Sequence, residues 1–129
     1  MGDDVATGPL LAEISRAVVQ HAKATMGKGP ERVRSYFLDD MLVIVSKGGF
    51  TTAEQTMVDV GQQDSVREFR RRLEHELAPQ LQQLIAELTG REVLASESTV
   101  SFGPDRVIAI YVFDSTLAEH LAAGGHISG

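Results

Sequence analysis

Residues 27–34 read GKGPERVR, and two readings of this stretch lead to two different folds. As a phosphate loop, Gly27-Lys28-Gly29-Pro30 would open a nucleotide-binding α/β domain. As a helix stop, it would carry the chain from a helix into a strand. A phosphate loop runs strand, glycine loop, helix; it ends in Lys-Ser/Thr and aims a helix N-terminus at the anion. Here a helical pattern comes before the glycines and an extended one after, so the helix presents its C-terminus, the wrong dipole end for an anion. No Lys-Ser/Thr follows Gly29, and the dinucleotide fingerprint fails on the same order of elements. Gly27 suits a C′ position, where left-handed backbone costs least in glycine, and Pro30 cannot continue a helix. The stretch reads as a helix end.

Upstream, Leu11, Ile14, Val18 and Ala22 recur at spacings of three and four, which predicts a helix over 10–25. Downstream, two strands are expected over 33–38 and 41–46, joined by Asp39-Asp40 as a two-residue hairpin turn. In that register Arg34, Tyr36, Leu38, Met41, Val43 and Val45 share one face, and Val33, Phe37, Leu42 and Ile44 the other. Lys47-Gly48-Gly49-Phe50 closes the hairpin. Thr51 and Glu54 have capping-box spacing, so a short helix follows, stopped by Gly61. Asp64 or Ser65 is expected to cap a helix reaching Thr89 with an apolar stripe of Val66, Phe69, Leu73, Leu77, Leu81, Leu84 and Leu88. Pro79 is expected to kink or break it, and Gly90 to end it. Strands over 92–100 and 106–113 flank Gly103-Pro104-Asp105, with Ile108, Ile110 and Val112 on one side of the second. A helical turn over 117–121 lies in the tail.

The order α-β-β-α-α-β-β predicts an α+β domain with a four-stranded, mostly antiparallel sheet packed with helices. Residues 1–8 read as a flexible N-terminus, 9–114 as the domain, and 115–129 as a small-residue, Gly-rich tail, mobile at its end. A sheet wet on one side alternates apolar and polar residues. These hairpins are apolar on both sides, so either helices cover both faces or one face is a subunit interface. The reading favoured is a homodimer.

At 129 residues the chain suits a single domain, and 43% hydrophobic residues suit a packed core. A net charge of −6 argues against broad nucleic-acid binding, which needs many cations. Without cysteine there is no disulfide framework, thiolate metal site or cysteine nucleophile. The run over 41–45 is far shorter than the roughly 20 apolar residues of a bilayer span, and the acidic N-terminus lacks the basic region of a secretory signal. The expectation is a soluble, cytoplasmic protein that meets a membrane only through a partner, without inserting.

Lys28, Arg32 and Arg34 cluster in sequence. They could hold a carboxylate, a phosphate or an acidic surface, or stand as solvated charge near Glu31; Arg106 joins them as a candidate anion or partner contact. Arg67, Arg70, Arg71 and Arg72 form the densest basic patch. With Glu68, Glu74 and Glu76 they suit pairing along a solvated helix face, and otherwise offer a second partner surface. His21, His75, His120 and His126 form no metal motif. Asp39-Asp40 suits a turn better than acid/base work. No nucleophile with its base can be assembled, and neither a metal nor a cofactor is expected.

Several of these segments recur together in one family. Gly27-Lys28-Gly29-Pro30, Val43-Ile44-Val45, Gly48, Thr51-x-Ala53-Glu54, Leu88-Thr89-Gly90 and Arg106-Val107 resemble, in order and spacing, the MpsC-like family. This is a bacterial domain once of unknown function, named after a sodium-translocating, membrane-potential-generating system. The resemblance covers about residues 9 to 114. Lys28 replaces the family's usual arginine, Thr52 its frequent proline, and Pro104-Asp105 its Gly-Glu. The resemblance implies a small non-enzymatic accessory or regulatory protein, acting with membrane proteins linked to inorganic-carbon uptake or membrane potential. It supplies no catalytic residues. The alternative is a small-anion or nucleotide sensor, with the loop cations and Arg106 lining a site between subunits.

Overall fold

The structure, a computed structural model, describes residues 4–124. Helix α1 (Asp4–Met26) leads into strands β1 (Arg32–Leu38) and β2 (Met41–Lys47). Helices α2 (Thr52–Asp59) and α3 (Gln63–Thr89) follow, then β3 (Val93–Ser101), β4 (Arg106–Phe113) and a short α4 (Leu117–Ala122). The sheet order is β1-β2-β4-β3, antiparallel throughout. This is the expected α+β fold, with α4 standing at the helical turn read in the tail. Helix α1 starts at Asp4, ahead of the expected residue 10. The calls on residues 1–3 and 125–129, His126 included, lie outside the described residues.

The opening stretch is a helix stop. Gly27 takes φ 78, and its amide donates to the Lys23 carbonyl at 3.0 Å. Across the loop, Gly49 at φ 87 lies so close to Pro30 that a Cβ would stand 2.9 Å from the proline Cα. The loops at the start of β1 and the end of β2 therefore pack backbone to backbone. At the other end of the hairpin Leu38 pairs with Met41, and Asp39 takes φ 55 to make the two-residue turn.

Two expectations for α3 need correction. Gln62, not Asp64 or Ser65, is the N-cap, and it makes no side-chain cap bond; Asp64 lies inside the first turn and bonds Arg67. Pro79 does not break the helix, which runs unbroken to Thr89. Both Pro79 and His75, whose carbonyl loses its partner, are exposed, so water can meet the freed acceptor. The end is as read: Gly90 is left-handed at φ 69 and donates to the Ala86 carbonyl.

The core lies on one face of the sheet. Leu42 and Ile44 of β2 and Tyr111 and Phe113 of β4 pack against Leu10 and Ile14 of α1 and Ile85 of α3. Thr89 is buried with them, its hydroxyl donating to the Ile85 carbonyl. Phe69 departs from the expected stripe: it is 53% exposed, because it stands beside the two-turn α2 rather than over the sheet. The register puts Tyr36, Leu38, Met41, Val43, Val45, Ile108, Ile110 and Val112 together on the opposite face. Neither long helix packs there: α1 rests on β1 and α3 on β3 from the core side. Of the two arrangements considered from sequence, helices on both faces is therefore not the one found.

Arg91, 3% exposed, anchors the chain after β4. Its guanidinium stands 3.9 Å from the Phe113 ring centroid and 5.3 Å from that of Phe37, and Nη1 donates to the Ser115 carbonyl. Burial pulls its pKa down, against the opposing charge of Asp114.

A buried ion pair fastens α2. Thr51 and Glu54 form the expected capping box. Glu54 also takes Arg70 Nε at 2.6 Å and Nη2 at 2.7 Å, while Nη2 reaches the Gly49 carbonyl at 3.0 Å. One arginine thus ties α3 to α2 and to the hairpin loop. Burial pushes the Glu54 carboxyl up, but the bonds from Arg70 and the Thr51 amide outweigh it and hold the pKa below its ordinary value. A depressed carboxylate contributes stability above its unfolded pKa, and that contribution is lost as pH falls through the folded value. Glu54→Gln should cost roughly 3 kcal/mol at pH 7, the lower end for breaking a buried pair. The difference from wild type should narrow as pH falls below about 4.5; urea denaturation across pH measures it.

Candidate functional site

Between α1 and α3, over the core face of the sheet, opens a cleft of about 480 Å³. Its size falls within the range of small-molecule sites, which run to about 300–1,000 Å³. The walls are the apolar stripes that sequence periodicity showed: Val18 and Ala22 from α1, and Leu73, Leu77 and Leu81 from α3. These positions bend toward the sheet without closing on each other, and the strands below supply polar groups at alternate positions.

Polar side chains from α1, α3, β3 and β4 give the cleft its chemistry. Glu74 of α3 accepts from the Ser98 hydroxyl of β3. Burial raises the Glu74 pKa, with the charge of Arg70 pulling it back in part. Tyr111 of β4 is 5% exposed, and its hydroxyl is pushed up to about 12 by burial and, in smaller measure, by Glu74. His21 of α1 meets Gln80 of α3 at 3.3 Å across the cleft, and His75 lines the same opening. The two histidines, far apart in sequence, come to one place because α1 and α3 cover adjacent halves of the sheet.

The residues singled out from sequence divide. Lys28 lines the mouth of the cleft. Arg32 and Arg106 lie on the opposite face of the sheet, where Arg32 pairs across to Lys47 and Lys47 to Arg106. Arg34 stands in the next row, opposite Val45. The four cations are therefore not one site: three share the open face with Lys47, and Lys28 serves the cleft. Among the described residues, none of Arg32, Arg34, Lys47 or Arg106 has an ion-pair partner.

The α3 arginines also separate. Arg70 points inward to Glu54, so it does not belong to a solvated face. Arg71 and Arg72 both bond Glu68, at 2.8 and 2.9 Å, and their bonds lower its pKa to about 2. Arg67 bonds Asp64 at 2.9 Å and lies 5.0 Å over the Phe102 ring. Glu68 pairs as expected, while Asp64 and Glu54 take the places expected of Glu74 and Glu76. The correction has a simple cause: Glu74 sits on the side of α3 that faces the sheet, where Ser98 reaches it first.

Glu74, Tyr111, Ser98 and Lys47 were not nominated from sequence. The signal was present for two of them. Glu74 stands three residues before Leu77 of the apolar stripe, on the same side of the helix, and Tyr111 alternates in phase with Ala109 and Phe113.

Residues 6–115 match the model of a family described as "Na+-translocating membrane potential-generating system (MpsC)". No curated protein and no solved structure matches the chain.

Proposed function

The chain belongs to the MpsC family, and from that premise we propose that it is a non-enzymatic accessory or regulatory protein of a membrane-transport system. In this reading it works in the cytoplasm as a homodimer and reaches the membrane through a transport partner. The observation that carries the reading is the family match over residues 6–115, joined to the architecture. No helix among the described residues is long and apolar enough to cross a membrane. The sheet has four strands and two open edges, whereas a strand-built span must close on itself. In this reading, ion movement across the bilayer, which the family description names, is the work of the transport partner. Capture of the tagged protein from its host in mild detergent, with an untagged control, tests this. The expected companion is an integral membrane transport protein; recovery of the chain with none would count against the role.

The cleft favours a second reading, a small-anion or nucleotide sensor. Lys28, His21 and His75 at its opening offer donors to an anion, and the apolar walls shelter the rest of a ligand. Phosphate, bicarbonate and nucleotides serve as probes in thermal unfolding. A true ligand at a hundredfold excess over its Kd should stabilise the fold by about 2.7 kcal/mol, and Lys28→Ala should shrink the shift. No shift with any of them removes the support for this reading.

A further inference from the structure

The open face of the sheet is graded along the strands. At one end lies the row Arg32, Lys47, Arg106, with Arg34 in the row beyond. Over β1, β2 and β4 the middle is apolar: Tyr36, Val43 and Ile110 in one row, Val45 and Ile108 in another, then Leu38, Met41 and Val112, while β3 adds Ala95, the exposed Glu97, Thr99 and Ser101 along one edge. At the far end stand four acids. Asp39 and Asp40 make the β1–β2 turn, Glu92 precedes β3, and Asp114 follows β4 beside the buried Arg91 guanidinium. Backbone bonds hold three of them together: Phe113 donates to the Asp40 carbonyl at 2.8 Å, and Asp114 to the Glu92 carbonyl at 3.2 Å. Basic and acidic ends are about 20 Å apart, six residues at the rise of an antiparallel strand. In plan the face measures about 450 Å², four strand spacings by seven residues.

We propose that this face binds a second copy of the chain, sheet against sheet, about a twofold axis that crosses the strands at mid-height. The axis lies between the rows of Val43 and Val45. That single operation sets the basic end of each copy against the acidic end of the other and lays the apolar middle of β1, β2 and β4 on itself, with the β3 edge and its Glu97 at the rim, as an isologous interface allows. An axis running along the strands would instead bring Lys47 and Arg106 against the same cations of the partner, a like-charge contact that disfavours this alternative. An anionic membrane would attract one end of the face and repel the other. The gradient therefore selects a copy of itself as the occupant. The proposal rests on the homodimer of the reading above and not on its transport partner.

Sedimentation analysis of four proteins tests it: wild type, Ile110→Lys, the double variant Arg32→Glu/Arg106→Glu, and the double variant Asp40→Lys/Glu92→Lys. Urea midpoints establish that each is folded. Wild type should be dimeric and dissociate on dilution. Ile110→Lys should be monomeric. Each charge-reversed variant should self-associate at least about tenfold more weakly than wild type. Mixed together, those two should form a heterodimer, since each then meets its complement at both ends. Undiminished dimerisation of Ile110→Lys or of the charge-reversed variants would overturn this interface while leaving the homodimer standing. A wild type that stays monomeric when concentrated would overturn both, and if it then floated with phosphatidylserine vesicles the occupant would be a membrane.

Discussion

Four strands about 4.8 Å apart make a sheet roughly 19 Å wide, and two helices of about 10 Å are enough to cover it. That match of widths governs the rest of the molecule. Helices α1 and α3 are the chain's only long helices among the described residues, and both go to the same face. There they bury Leu42, Ile44, Tyr111 and Phe113 beneath Ile14 and Ile85. Nothing of comparable size remains for the other face. Helix α2 has eight residues and is held on α3 by Glu54 and Arg70, and α4 has six.

The two faces therefore carry different physics. Beneath the helices, packing is close at the centre and relaxed toward the Gly27–Pro30 loop, where the cleft holds Glu74, whose pKa burial raises, and a buried Tyr111. This side suits a small molecule or a narrow segment. The bare side is apolar in the middle of β1, β2 and β4, polar along β3 and oppositely charged at its ends, and suits another sheet surface. A regulator that joins a dimer through one face and senses through the other would keep the two events on separate surfaces of one sheet. Residues of β2 and β4 alternate between those surfaces, so each strand touches both.

Much of the fold was legible because local rules and tertiary packing agree. Gly27 and Gly90 stop helices by taking positive φ, Thr51 and Glu54 cap α2, and alternation along 106–113 sorts Ile108, Ile110 and Val112 from Tyr111 and Phe113. The family's segments acquire physical reasons in the same way: Thr89 closes α3 on the Ile85 carbonyl, and Glu54 holds Arg70. Where legibility failed, the deciding contact was distant in sequence. A run of four arginines reads as one basic face, yet Arg70 turns inward because Glu54 and the Gly49 carbonyl lie within reach. Arg32 and Lys28 are near neighbours in the chain, and the turn into β1 sends them to opposite sides. His21 and His75 meet at one cleft through packing that no local pattern encodes.

The central claim, that the bare face is covered in solution by its own kind, can be read directly from side-chain accessibility. Hydroxyl-radical footprinting over a range of protein concentrations measures it, with Tyr36 and Met41 as reporters on the face and Met57 of α2 as a reference away from it. The account predicts that Tyr36 and Met41 lose reactivity as the protein is concentrated while Met57 does not change. Equal reactivity of Tyr36 and Met41 at every concentration would contradict it.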